Sequence, residues 1–233
     1  MRLVTFGCSM TQGIGLDGLD CFAHPRYISP QDTILNNKCI SKDAWPHLLA
    51  DKLDLKCVNL GRGGSSPKFV FQMIREFQFN NNDLVIIQWP GAGRHTIWAE
   101  EDEEMGTPYN PKLYKEMTPT EENEKHFYMN YYTDFDSYYN LAVLIESTHN
   151  YLKDRCNKFF SVTDDPEILN NELLCRFFPV LSDVNPFFRN SWSLSMPIEE
   201  LHLNKNNSFK CNDDHPGTQF HIDFVNDMLK IIK

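Results

Sequence analysis

A serine follows the first apolar run of the chain, in the stretch MRLVTFGCSMTQG. The residues from Leu3 to Phe6 are mostly branched or aromatic, which predicts a short buried strand, and Gly7 predicts a sharp turn after it. Ser9 then lies at the carboxyl end of that strand, where open α/β sheets bind their ligands. Its hydroxyl either acts as a nucleophile or caps a helix, and this stretch alone leaves both open.

A histidine near the other end of the chain is a suitable partner for a nucleophilic serine. In the segment NDDHPGTQFH, residues 212 to 221, two aspartates precede His215 and a Pro-Gly turn follows it. A serine hydroxyl is a poor nucleophile until a general base takes its proton, and a carboxylate holds that base in the right tautomer. The two ends of the chain therefore favour nucleophilic chemistry at Ser9.

Three motifs in chain order resemble those of the SGNH (GDSL-type) hydrolase superfamily. FGCSMTQG resembles its nucleophile block, VNLGRGGSS its glycine block and DDHP its acid and histidine block. The resemblance implies a three-layer α/β/α sandwich around a parallel sheet of about five strands. It also implies a serine esterase that removes small, acetyl-like acyl groups from a polar substrate. Ser9 would be the nucleophile and His215 the general base, and the N–H groups of Ser9 and Gly64 would form the oxyanion hole.

The same resemblance leaves alternatives for the acid that supports His215. The usual aspartate stands three residues before the histidine, and Asn212 fills that position here. Asp213 faces the same side of an extended segment as His215, whereas Asp214 faces the opposite side. We therefore predict Asp213 as the acid, with Asn212 or a backbone carbonyl as the alternatives.

The chain departs from the family pattern after its most apolar strand. The segment DLVIIQW, from Asp83 to Trp89, is typical of a strand buried in a parallel sheet. Many family members continue with Gly-x-Asn-Asp, in which the asparagine is a third oxyanion donor, but this chain continues with PGAGRH. Gln88 and Arg94 are the candidates for that donor. The departure keeps a catalytically weakened binding or structural protein open beside the esterase, and the sequence does not separate an esterase from an acyltransferase.

The remaining pattern alternates strands and helices, as an α/β fold requires. Ser41 is the predicted cap of an amphipathic helix that precedes the glycine block. A further predicted strand ends in Asp164 and Asp165, and residues of this type in this position cap the next helix more often than they do chemistry. The predicted strands are 56–60 and 157–165, the predicted helices are 68–79 and 132–153, and loop insertions are predicted near 14–42 and 98–130.

Composition limits the class of protein. With 233 residues, of which 41% are hydrophobic, the chain fits one domain over 1–233. A net charge of −10 argues against nucleic acid and anionic membranes as partners and leaves a small-molecule or glycan ester as the expected substrate. Seven cysteines without a CxxC pair, together with the lack of a membrane-length apolar run, predict free thiols in a cytoplasmic protein. His95, His215 and His221 match no metal-binding spacing, so no cofactor is expected.

Overall fold

The computed structural model describes residues 1–16, 30–31, 40–95, 132–186 and 217–232. Within those ranges, no helix is both long and apolar enough to cross a membrane. The strands are β1 (Arg2–Gly7), β2 (Lys56–Gly61), β3 (Leu84–Trp89), β4 (Lys158–Thr163) and β5 (Val184–Pro186). The helices are α1 (Ser9–Gln12), α2 (Trp45–Leu53), α3 (Pro67–Glu76), α4 (Asp134–Leu152), α5 (Glu172–Phe177) and α6 (Thr218–Ile232), and 3₁₀ helices span Pro166–Asn170 and Pro179–Asp183.

The described strands form one sheet in the order β2-β1-β3-β4-β5, and every neighbouring pair is parallel. This confirms the predicted parallel sheet of about five strands. The edge strand β5 was not predicted because its three residues, VNP, are too few to give a periodic pattern. From β1 the chain first adds β2 on one side of the sheet and then adds β3, β4 and β5 on the other side. A doubly wound sheet opens a ligand-binding crevice at the point where this direction reverses, here between β1 and β3.

Alternating side chains of the strands form two separate cores, one on each face of the sheet. Val4 and Phe6 of β1 pack with α3 and α4, whereas Leu3 packs with α2 and α6 on the opposite face. Right-handed crossovers explain this division, because the chain winds in opposite directions on the two sides of β1. The sheet therefore lies between two layers of helices, as predicted.

Helix α6 runs antiparallel to the strands, and this direction brings its beginning to the carboxyl edge of the sheet. Near its end, the carbonyl of Ile232 accepts a hydrogen bond from the Lys158 ammonium at 2.5 Å, and Lys158 is the first residue of β4. Near its beginning, His221 contacts Trp45, the first residue of α2. Since α2 leads into β2, its first residue lies at the carboxyl edge. The chain thus enters α6 on the edge where Ser9 lies.

The prediction that Ser41 caps α2 is wrong. The residue before the helix is Ala44, which offers no side-chain cap, and the Ser41 hydroxyl accepts the N–H of Asp43 within its own turn. The free N–H of Trp45 is instead satisfied from another helix, because Nδ1 of the fully buried His221 accepts it at 3.1 Å. A long-range contact of this kind leaves no local signal in the sequence.

Some predictions fall outside the described residues. The insertion expected near 98–130 lies wholly outside them, and most of the insertion expected near 14–42 does too. The assignment of 1–233 to a single domain stays a prediction.

We expect His221→Ala to lower the free energy of unfolding by about 1–3 kcal/mol, because the change leaves the buried N–H of Trp45 without its acceptor. Urea denaturation followed by circular dichroism measures the loss. Asn226→Ala, at an exposed position on the same helix, is the matched control. Equal stability of the two variants would contradict the capping role of His221.

Candidate functional site

Ser9 begins the four-residue helix α1 directly after β1. Its carbonyl accepts the N–H groups of Gly13 and Ile14, so the turn closes tightly after one helical turn. Its own N–H donates to no group in the described part of the chain. This is the usual state of an amide at a helix start, where no intrahelical acceptor exists. The residue retains 7% exposure, whereas Thr11 on the same helix retains none.

The loop after β2 contains one amide that is similarly available. The N–H of Gly61 donates to Asn59, that of Arg62 to the carbonyl of Gly7, and that of Gly63 to the Gln12 side chain. Within the described contacts, the N–H of Gly64 has no acceptor. Gly64 also has a φ of 75°, a left-handed conformation that favours glycine.

Asn59 joins the glycine loop, residues 61–64, to the serine turn, residues 8–13. Its Nδ2 donates to the carbonyl of Thr11 at 2.7 Å, and its Oδ1 accepts the N–H of Gly61 at 2.8 Å. At Gly61 the two backbones are so close that an added Cβ would lie 2.5 Å from the Gln12 nitrogen. The amides of Ser9 and Gly64 therefore belong to two loops that are fixed against each other.

A buried polar network lies beneath the serine turn and connects three strands. The Gln88 carboxamide of β3 accepts a hydrogen bond from the Thr11 hydroxyl. Its Nε2 donates to Oδ1 of Asp164 at 2.9 Å and contacts Sγ of Cys8 at 3.6 Å. Sγ of Cys8 in turn contacts Oδ2 of Asp164 at 3.8 Å. The network thus joins β1, β3 and β4 at their carboxyl ends.

Burial changes the acid-base properties of this network. It raises the pKa of the Asp164 carboxyl to about 7, against favourable interactions with Gln88 and Arg94. Burial is also the main cause that raises the pKa of the Cys8 thiol to about 11, and the Asp164 charge adds to it. Arg94 opposes both shifts, so its positive charge lies close to both groups. A neutral thiol and a largely neutral acid therefore flank Ser9 below pH 7.

A second polar group of residues lies around His95, beyond Arg94 in the chain. Nε2 of His95 lies 3.5 Å from the Ser137 hydroxyl, and its ring packs edge to face on Tyr132. Burial lowers the pKa of His95, and the nearby charge of Lys68 lowers it further. Within the described residues, no group of three histidine, cysteine or acidic side chains is arranged to hold a metal ion.

The structure brings together part of the predicted site. Ser9 and Gly64 lie on loops in mutual contact, and Gln88 and Arg94 lie beside the residue that precedes Ser9. Both ends of the Gln88 carboxamide are already hydrogen-bonded. His215, Asp213, Asp214 and Asn212 are outside the described residues, so their roles stay predictions.

Asp164 and Asp165 were predicted as caps of the next helix, and the structure confirms the position of Asp165 but not the capping role of either side chain. Asp165 is the residue before the 3₁₀ helix, and its side chain makes no capping hydrogen bond. Asp164 binds Gln88, and Asp165 accepts the N–H of Ala92 at 2.5 Å. The one sequence signal for these contacts was the position of both residues at the carboxyl end of a strand. Neighbouring strands of a parallel sheet end at the same edge, so residues there lie close to those that follow the next strand.

No protein-family profile and no curated protein matches this sequence. Two esterases are among the solved structures that are similar to it in fold. One is a carbohydrate esterase whose active site displays divergent catalytic and non-catalytic binding functions, with a TM-score of 0.54 at 11% identity over 99% of this chain and 68% of that chain. The other is an acetyl xylan esterase from the rumen bacterium Butyrivibrio proteoclasticus, with a TM-score of 0.51 at 10% identity over 99% of this chain and 63% of that chain.

The chain has an SGNH-hydrolase fold. The five parallel strands between two helical layers and the similarity to the first of these esterases agree on this point. The chain spans about two thirds of the length of each esterase. At such low identity the similarity establishes the fold alone.

We expect Asp164→Asn to become more stable relative to wild type as the pH rises from 4 to 8. The raised pKa of Asp164 means that the unfolded chain ionises near pH 4, while the folded chain stays protonated up to about pH 7. Wild type therefore loses stability across this window, by about 1.4 kcal/mol for each pKa unit of the shift, and the amide variant does not. Urea denaturation at several pH values measures the difference. Asp51→Asn is the matched control, because it measures how the same substitution at an exposed position changes the pH dependence of stability. If the free energies of unfolding of Asp164→Asn and wild type differed by the same amount at every pH in this range, the raised pKa of Asp164 would be contradicted.

Proposed function

We propose that this protein is a serine ester hydrolase that removes small acyl groups, such as acetyl, from a carbohydrate. One observation carries the proposal: Ser9 stands at a helix start on the carboxyl edge of the sheet, in contact with a loop whose Gly64 amide has no acceptor among the described residues. A nucleophile beside available N–H groups is the arrangement that acyl transfer requires.

In the proposed reaction the Ser9 hydroxyl attacks the ester carbonyl while His215 takes its proton. The tetrahedral intermediate then expels the sugar alcohol, which receives that proton from His215, and the acyl group stays on Ser9. Water repeats the two steps and releases the carboxylic acid. Asp213 would hold the imidazole and stabilise its charged form.

The approach of His215 to Ser9 is supported by the direction of α6. The chain enters this helix at the carboxyl edge of the sheet, and His215 precedes the described residue Gly217 by two positions. Two residues span at most about 7 Å. Only the short segment before α6 then has to bring the imidazole to the hydroxyl.

The oxyanion would be stabilised by the N–H groups of Ser9 and Gly64, with Arg94 as a third, charged group. The positive charge of Arg94 is felt at both Cys8 and Asp164, so it lies near the serine turn. Gln88 is the weaker candidate for this third role, because its Nε2 already donates to Asp164. Arg94 would thus replace the asparagine that the chain lacks.

A carbohydrate ester is the preferred substrate class because both similar structures are carbohydrate esterases, and one of them is an acetyl xylan esterase. The net charge of −10 favours a neutral glycan over a polyanion. Acetylated xylo-oligosaccharides are therefore the first substrates to test. Transfer of the acyl group to a second alcohol instead of water would use the same acyl-enzyme, and product analysis with a sugar acceptor separates the two reactions.

A binding protein without strong catalysis is the second candidate. It is favoured by the missing asparagine after β3 and by the non-catalytic binding functions of the active site in one similar esterase. Calorimetric titration with acetylated and deacetylated oligosaccharides tests it. Binding of both forms without turnover would favour this candidate over the hydrolase.

We expect Ser9→Ala and His215→Ala each to lower the turnover of p-nitrophenyl acetate by about 10⁴-fold or more, because a serine without its base is about as slow as no serine. Initial rates measure the loss, and circular dichroism checks that the fold is kept. Ser182→Ala, at an exposed serine, is the matched control. Wild-type turnover in purified Ser9→Ala would overturn the assignment of the nucleophile.

We expect Asp213→Ala to reduce turnover far more than Asp214→Ala or Asn212→Ala, because a carboxylate on the side of His215 stabilises the imidazolium that forms during attack. The same kinetic assay ranks the three variants. If the Asn212 variant is damaged and the Asp213 variant is not, the acid has been assigned to the wrong residue.

A further inference from the structure

Asp164 contacts two members of the network beneath the serine turn, Gln88 and Cys8. It is half-buried, it lies directly after β4, and each of its two carboxyl oxygens makes one of these contacts. Through Gln88 it is connected to the hydroxyl of Thr11, which belongs to the same short helix as Ser9. Cys8 is the residue that directly precedes Ser9. Asp164 therefore reaches the serine turn from both of its sides.

We propose that Asp164 is a positioning residue that holds the Ser9 turn in place through Gln88 and Cys8. This inference rests on the ester hydrolysis proposed above, since it assigns a role in that reaction. Helix α1 has only four residues, so its own hydrogen bonds fix it weakly and contacts from β3 and β4 must set its direction. The Thr11 hydroxyl points to Gln88, and the second end of that amide is held by Asp164.

The charge of Asp164 matters as well as its hydrogen bonds. The groups that face it are Gln88 from β3, Arg94 from the loop after β3, Cys8 from the serine turn and Asp165 beside it. A negative charge here opposes the negative charge that develops on the ester oxygen near Ser9 and draws the positive charge of Arg94 away from it. The neutral acid is therefore the active form, and burial keeps it neutral up to about pH 7, where its pKa lies.

The first experiment compares Asp164→Ala with Asp164→Asn in p-nitrophenyl acetate hydrolysis at pH 6. The alanine variant should lose roughly 10- to 100-fold in kcat with little change in KM, because a misplaced nucleophile slows the chemical step. The asparagine variant should stay near wild type, since its amide oxygen still accepts from Gln88. Asp51→Asn, at an exposed position outside this network, is the matched control. Wild-type kcat in Asp164→Ala, or equal losses in both Asp164 variants, would overturn the proposal.

A second measurement does not depend on ester hydrolysis. Cys8 is fully buried, so its alkylation by iodoacetamide, followed by mass spectrometry of its peptide, reports whether the serine turn is held. Alkylation should be at least about tenfold faster in Asp164→Ala than in wild type, and close to wild type in Asp164→Asn. If wild type hydrolyses no ester but this pattern appears, the proposed function fails and the positioning role stands. Unchanged protection of Cys8 in Asp164→Ala overturns the positioning role.

A third measurement uses the pH dependence of kcat. Wild-type kcat should fall as the pH rises above about 7, because Asp164 then loses its proton. A histidine base gives a change in the other direction, since kcat rises as the histidine loses its proton. Asp164→Asn should lack the fall. Because Asp165 raises the pKa of Asp164 and Arg94 lowers it, Asp165→Asn should move the fall to lower pH and Arg94→Gln should move it to higher pH. A fall that persists unchanged in Asp164→Asn would overturn the assigned role of the charge.

Discussion

The Gln88 carboxamide is the contact on which the serine turn depends. It is completely buried, and it joins Thr11 on one side to Asp164 and Cys8 on the other. A buried amide requires partners for both its oxygen and its nitrogen, because an unsatisfied group there costs about 1–3 kcal/mol. Satisfying Gln88 therefore fixes the carboxyl ends of β1, β3 and β4 relative to one another.

The sheet order explains why these groups meet. β1 lies between β2 and β3, so the turn after it is flanked by the glycine loop on one side and by Gln88 on the other. Asn59 fixes the first contact and Gln88 the second. Two independent polar contacts thus hold a helix of four residues that has little stability of its own.

The parts of this arrangement that sequence predicts are those with a local pattern. The apolar run DLVIIQW predicted β3, and the turn residues around Ser9 and Gly64 predicted two loops at one edge of a parallel sheet. Contacts between distant residues gave no such signal. The capping of Trp45 by His221 and the contact of Asp164 with Gln88 join residues far apart in sequence, and each residue taken alone has a commoner local role.

The central claim is that Ser9 is an activated nucleophile, and covalent trapping tests it most directly. A fluorophosphonate reacts only with a serine whose hydroxyl is activated by a base and whose oxyanion is stabilised. The full-length protein is treated with the probe and then digested, and mass spectrometry of its peptides locates the adduct. The account predicts one adduct on Ser9, absent from the Ser9→Ala protein. An adduct on another residue, or none at all on correctly folded protein, would contradict it.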